Sequence, residues 1–364
     1  MTASPALPRW SLTAPPVAVI ILALTWGRDL DTIFLILVCV GLAGSVVSAV
    51  HHAEVVAHRV GEPFGTLILA VSVTVIEVAL IVTLMASGGE KAATLARDTV
   101  FAAVMITCNG IVGIALLVGS LRHRVQEFRA HASGSTLAVI AALVTLSLVL
   151  PAVTTSTPGG TFSGAQLAFA GVVSLIMYGV FVFVQTVRHR DYFLPKESPP
   201  GPDSDNHHAP APSDRTAWTS LGLLLVCLVA VVGLAKTVSP TLESAVESVG
   251  APLSVVGVLI ALLVLLPETV AAVRAALRNR LQVSLNLALG SALASIGLTI
   301  PAIAIASIWL TGPLVLGLGP KEMVLLLLTI VVSVPTLATG RATVLQGAVH
   351  LMVFSAFLFL AVTP

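Results

Sequence analysis

The chain has 364 residues, of which 57% are hydrophobic and only 10% charged, and its mean hydropathy is +1.03. Soluble domains carry about 25% charged residues, so this composition excludes a soluble globular class and implies an all-α polytopic membrane protein, with the lipid bilayer as its surroundings. A net charge of +1 leaves no basic footprint for nucleic acid. The three cysteines, Cys39, Cys108 and Cys227, lie in apolar runs, where packing as small hydrophobes is expected in place of disulfides or metal ligation.

In chain order, apolar stretches predict about eleven transmembrane helices near 12–27, 32–50, 65–87, 99–120, 135–153, 163–187, 217–238, 253–276, 283–309, 322–339 and 343–362. Arg9 and the apolar run Ala14–Trp26 imitate a signal peptide, but no small-residue cleavage pattern follows, so the run reads as a retained first span. With the N-terminus in the cytoplasm, 13 of the 18 Lys and Arg residues fall on the inner side. That bias places the N-terminus inside and the C-terminus outside. Residues 188–216 are rich in Pro, Asp, Ser and His and are expected to form a flexible cytoplasmic linker. Its Glu197, Asp203, Asp205, Asp214, His207 and His208 suit a solvated connector, with weak cation binding or pH sensing as the alternative.

The expected organisation is an extra first helix over 1–30, a five-helix half over 31–187, the linker, and a second five-helix half over 217–364. The halves resemble each other. Glu54-x5-Val60-Gly61-x-Pro63 recurs at a constant offset as Glu243-x5-Val249-Gly250-x-Pro252, opening repeat cores near 54–120 and 243–309. Each copy leads into a span with a central glutamate, Glu77 or Glu268, with a register slip of two residues. An odd number of crossings separates the copies, which makes the repeat inverted, an architecture of secondary transporters.

Those two glutamates carry the functional reading. Each sits alone in a segment long enough to cross a bilayer, where an ionised side chain costs roughly 2.5–3.5 kcal/mol on insertion scales, and such residues mark ion or proton paths. Pro267, directly before Glu268, deprives the Leu263 carbonyl of its helical partner and so offers a backbone oxygen beside the carboxylate. Thr74 and Ser72 are the hydroxyls near Glu77, although bonding to their own helix is the commoner role. The spans that follow hold Thr107 and Asn109 in the first copy, and Asn286, Ser291 and Ser295 in the second. Carboxylate, hydroxyl, amide and carbonyl oxygens suit hard cations, while close helix packing accounts for the hydroxyls and glycines equally well. With no Lys or Arg beside them, the two carboxylates are expected to be neutralised by protons or by a cation in competition, which couples the two fluxes.

A second titratable group precedes each glutamate span. His51, Glu54 and His58 fall at i, i+3 and i+7, and Glu54 and His58 align with Glu243 and Glu247. They form either a cation-gathering or proton-relay vestibule with pH sensitivity or a solvated interfacial helix. His350, lone in the last span, reads as a bonded structural histidine. No enzyme signature is present: His52-Ala-Glu54-Val-Val-Ala-His58 lacks His-Glu-x-x-His spacing, and Gly119-Ser120 and Gly290-Ser291 lack the Gly-x-Ser-x-Gly context. A cation channel is the remaining alternative class.

The run GEPFGTLILAVSVTVIEVALIVTLM, together with LPETVAAVRAALRNRLQVSLNLALGSALASIGLTIP, resembles the paired repeats of the calcium/cation antiporter superfamily, and more closely the bacterial ChaA-type calcium/proton antiporters. The resemblance implies a bacterial inner-membrane protein that exchanges cytoplasmic Ca2+ for external protons without a cofactor, its two repeat glutamates being Glu77 and Glu268. It further implies that Ser291 is the hydroxyl position of the second repeat, with Thr107 or Asn109 as its counterpart. The chain departs from the superfamily at Thr74-Val75-Ile76 and Leu265-Leu266-Pro267, where many members read Gly-Asn-Ala, and at Thr269, where the proton-coupled eukaryotic members usually carry His. These departures remove potential ligands and leave Na+ or K+ exchange as the alternative. If His51 and His58 form a vestibule, replacing both with Gln shifts the pH profile of exchange; solvated interfacial residues leave it in place.

Overall fold

The computed structural model of the protein describes residues 7–28, 30–61, 64–88, 92–193, 212–248, 250–310 and 312–363. Of the linker, residues 194–211 lie outside the described residues, and with them Glu197, Asp203, Asp205, His207 and His208. Pro63 and Val249 of the repeat motif also lie outside.

The described chain is almost entirely helical. α1 (Arg9–Thr25), α2 (Thr32–Val60) and α3 (Phe64–Gly88) are followed by α4 (Leu95–Met105) and α5 (Val112–His123), which a π-helical segment, Ile106–Ile111, joins into one span. α6 (Ala130–Val144) continues through π-helical Thr145–Val149 into α7 (Leu150–Val153). α8 (Gly164–Phe183) precedes the short α9 (Arg190–Phe193), and α10 (Asp214–Ser248) opens the second half. There follow α11 (Ser254–Val264), α12 (Leu266–Leu277), α13 (Leu281–Ala306), α14 (Pro320–Ala338) and α15 (Val344–Val362). Among the described residues nine helical stretches are long and apolar enough to cross a membrane, and α11 and α12, bent by 52° at Leu265, make a tenth. α1 has 17 residues, about 25 Å of helix, and falls short of that length, so the first of the eleven expected spans is not among these ten.

Local chemistry sets the helix ends. Asp31 accepts the Phe34 amide at 2.8 Å to open α2, and Ser163 with Gln166 closes a capping box on α8. Pro267, in the first turn of α12, lacks the N–H that would continue the ladder from α11, and the chain breaks there.

The chain divides into two compact units, Met1–Ile76 with Lys196–Val238, and Glu77–Pro195 with Ser239–Pro364. The division is spatial and cuts across the expected sequence halves, since the opening span of each half belongs to the first unit. In that unit α1 packs on α2. The His52 Nε2 meets the Ser11 carbonyl at 2.9 Å, a Cβ on Gly233 would lie 2.4 Å from Leu22, and Arg59 Nε donates to Asp214 at 2.8 Å.

The second unit is built around α4, the π-helical segment and α5. From Leu95 to Gly113 every side chain except that of Arg97 is buried. α11 packs on α4, α12 on α5, α15 on α5 and the π-helical segment, and α13 on α12, α8 and α6. The loops at one end of this unit are stitched together. β1 (Gln126–Glu127) pairs antiparallel with β2 (Arg341–Ala342). The Gln126 amide donates to the Ala276 carbonyl at 2.9 Å and to Asn279 at 3.0 Å, His123 Nε2 meets the Leu277 carbonyl at 2.9 Å, and Gln282 accepts the Arg129 amide at 2.6 Å. Glycine permits the closest helix approach. A Cβ on Gly347 of α15 would fall 2.5 Å from the Leu117 backbone nitrogen of α5. Gly347→Ala is therefore expected to force these helices apart and cost about 1–3 kcal/mol, read as a lower unfolding midpoint in detergent.

Candidate functional site

Glu77 occupies the middle of α3 and is 3% exposed. Ser295, on α13, donates its hydroxyl to Glu77 Oε2 at 2.9 Å. The second oxygen, Oε1, is buried and has no hydrogen-bond partner among the described residues. No Lys, Arg or His forms an ion pair with Glu77 among those residues either. A carboxylate in this setting has spare acceptor capacity and no built-in countercharge, so whatever balances it comes from outside the protein.

Glu268 lies in the first turn of α12, directly after the break, and is half-buried. Leu263, expected to present its carbonyl, is in the last turn of α11, where that oxygen receives the Leu265 amide at the break. The residue after the glutamate, Thr269, donates to the Leu265 carbonyl at 2.7 Å. The proline break thus reshuffles the backbone bonds beside Glu268 as well as bending the helix.

The polar side chains of the neighbouring spans are placed differently from one another. Thr107 is fully buried in the π-helical segment and donates to its own helix, at Ala103, at 2.7 Å. Asn109 has both amide atoms engaged: Nδ2 donates to Thr329 at 2.9 Å, and Oδ1 meets His350 Nδ1 at 3.2 Å. His350 Nε2 in turn meets Thr336 Oγ1 at 3.2 Å, so a buried chain Thr329, Asn109, His350, Thr336 ties the π-helical segment to α14 and α15. Asn286 donates to the Phe193 carbonyl at 2.7 Å and accepts from Gln282 at 2.8 Å, joining α13 to α9. Ser291 is half-buried on α13, four residues before Ser295 and on the same face. Thr74 is buried on α3, in the first unit, while Ser72 bonds the Ile68 carbonyl at 2.8 Å.

Of the expected titratable group, His51, Glu54 and His58 all lie on α2. His51 packs its ring 5.0 Å from Trp10, and Glu54 and His58 are exposed. Glu243 accepts from Ser239 at 2.8 Å, and Glu247 is exposed, both in the second unit.

Ser295 makes a direct hydrogen bond from the second repeat core to the glutamate of the first. The sequence shows Ser295 as one of several deep polar positions, and its i+4 relation to Ser291 was the available signal. Among the described residues no three His, Cys, Asp or Glu side chains cluster as a metal site would.

A family model described as sodium/calcium exchanger protein matches residues 30–187 and 219–363. The chain belongs to this family. Among its relatives, y4hA of Sinorhizobium fredii, named as an ionic transporter, is 50% identical over 361 residues, covering 98% of this chain and 97% of the relative. The sodium-potassium/proton antiporter ChaA of Escherichia coli is 37% identical over 352 residues, covering 96% and 94%. Among solved structures, native YfkE superposes with a TM-score of 0.71 at 17% identity, covering 98% of this chain and 99% of that one. The fold is thus that of the cation exchangers, and the protein is a multi-pass membrane transport protein.

The buried chain through His350 generates a stability test. His350→Ala strips a partner from Asn109 and from Thr336 and is expected to cost about 1–3 kcal/mol for each polar group left unpaired. Combining it with Asn109→Ala should cost less than the two single losses together, read as thermal unfolding of the single and double variants.

Proposed function

We propose that this protein is a secondary antiporter that expels cytoplasmic Ca2+ in exchange for external protons, with Glu77 and Glu268 binding cation or protons in competition. One observation carries the reading: Glu77 is buried, held by a single serine, and keeps one oxygen without a partner among the described residues. Deep in an apolar environment such a carboxylate is occupied either by a proton or by a metal ion, and never usefully by neither. If access changes only in the occupied states, the two species move in opposite directions. Two carboxylates can release two protons for one divalent ion, which makes the cycle electroneutral. The topology that goes with this reading is a bacterial inner-membrane protein with its N-terminus in the cytoplasm, its C-terminus outside, and two inverted five-helix halves.

A second reading, Na+(K+)/H+ exchange at the same residues, is supported by the relative named as a sodium-potassium/proton antiporter and by the absence of a three-acid cluster among the described residues. A relative in Aphanothece halophytica named as a Ca2+/H+ antiporter, 28% identical over 337 residues, supports the first.

Proteoliposomes with a trapped pH reporter separate these. Added Ca2+ is expected to release the imposed proton gradient, Glu77→Gln and Glu268→Gln to reduce that release to background, and no current to flow at zero potential under opposing gradients. Release by Na+ or K+ but not Ca2+ selects the second reading. Full activity in both variants would remove the carboxylates from the mechanism.

A further inference from the structure

Within the second unit, α8 packs antiparallel to α13 and meets it through glycine. A Cβ on Gly297 would fall 2.7 Å from the Tyr178 side chain, and one on Gly171 would fall 3.3 Å from the α-carbon of Pro301. At Gly164, two turns nearer the start of α8, a built Cβ meets nothing within 4 Å. The pair is therefore closed along one edge and leaves a cleft along the other. Gly164, Ala168, Gly171 and Leu175 line it from α8, and Pro301 and Ala304 from α13. The cleft opens toward the bilayer, since only 28% of the apolar window of the α8 span is buried inside the protein.

The lining excludes a polar or hydrated occupant. Among the described residues its polar side chain is Ser307, whose hydroxyl is spent on the Ala304 carbonyl at 2.8 Å. Ordered water needs two to four polar partners, which these side chains do not offer. The dimensions exclude a helix. From Gly164 to Leu175 the cleft runs about 16 Å along α8, close to half of the ~30 Å hydrocarbon core, which is the depth of one leaflet. It encloses about 400 Å³, and about 830 Å³ counted out to its open side. Spread over that length, these volumes make a slot roughly 5–8 Å across, whereas a helix with its side chains is about 10–12 Å across. Carbon atoms in contact lie about 3.5–4.0 Å apart, so a single hydrocarbon chain fits the slot. At the mouth Trp309 is 75% exposed, an aromatic ring of the kind that sits at headgroup level. The two sequences that flank the mouth, 154–163 and 307–319, contain no Asp, Glu, Lys or Arg.

We propose that the cleft between α8 and α13 is a lipid site that seats one acyl chain of a membrane phospholipid, from the interface at Trp309 to the middle of the bilayer at Leu175. The chain supplies the carbon contacts that the cleft walls otherwise lack. With no charge at the mouth, the site holds the lipid by its chain and does not select the headgroup. The inference rests on the membrane-spanning fold and is independent of which ion the protein exchanges.

The test is native mass spectrometry of the full chain, taken into mild detergent from bilayers of palmitoyl-oleoyl phosphatidylcholine or of the matching phosphatidylglycerol. The expected result is one phospholipid retained per chain, to the same extent from either bilayer, and little retention of dihexanoyl phosphatidylcholine, whose chains are too short to fill the slot. Ala168→Phe and Ala304→Leu fill the cleft and should lower retention at least about tenfold, the equivalent of two methylene contacts. Val180→Phe, on the exposed surface of α8 outside the cleft, should leave retention unchanged. Should Ala168→Phe not accumulate, Ala304→Leu is read in the same way. No retained lipid in the unaltered protein, or retention that both cleft variants leave intact, overturns the proposal. Retention of phosphatidylglycerol alone would make the headgroup the determinant and overturns it too. If the cleft variants instead dissociate an oligomer while the lipid count stays the same, the cleft seats a second copy of the chain and the acyl site is wrong.

Discussion

The hydrocarbon interior of a membrane offers no water to hydrogen-bond stray polar groups, and this constraint orders the whole molecule. A polar atom placed there is costly unless the protein or a ligand satisfies it. Most are spoken for. Threonines bond their own helices, Asn109 is held at both ends by His350 and Thr329, and Asn286 is held by Phe193 and Gln282. Against that background Glu77 is a buried carboxylate whose Oε1 has no hydrogen-bond partner among the described residues.

The architecture was largely legible in the sequence because the bilayer reduces it to a length and an apolarity. Each of the eleven predicted stretches falls on a helix, ten of them long and apolar enough to cross a membrane when the bent pair is taken as one, and the break at Pro267 followed from a missing N–H. α2 and α10 are the main exceptions in length, each running ten residues past its predicted end at 50 or 238. Their polar last turns carry no hydropathy signal, so nothing in the composition marks where these helices continue.

The site was legible in part. A lone glutamate in an apolar run announces itself, but its partner does not. Spacing places Ser291 and Ser295 on one face of α13 without saying which of them meets α3. The structure gives that contact to Ser295. Likewise, a single histidine at 350 shows nothing in sequence of the asparagine 241 positions away that it binds. Pairings across such distances are set by helix packing, and a pattern of residue types does not contain it.

The π-helical segment of the fourth span and the bend in the eighth are usually treated as two separate irregularities. In this protein they are neighbours: α11 lies along α4 and α12 along α5, so the wide turn at Ile106–Ile111 separates the same two layers as the break at Leu265. Each half-helix keeps its own companion on its own side of that level. The regular helical hydrogen-bond ladder is therefore interrupted in both spans at one level, the level at which Glu268 is mounted.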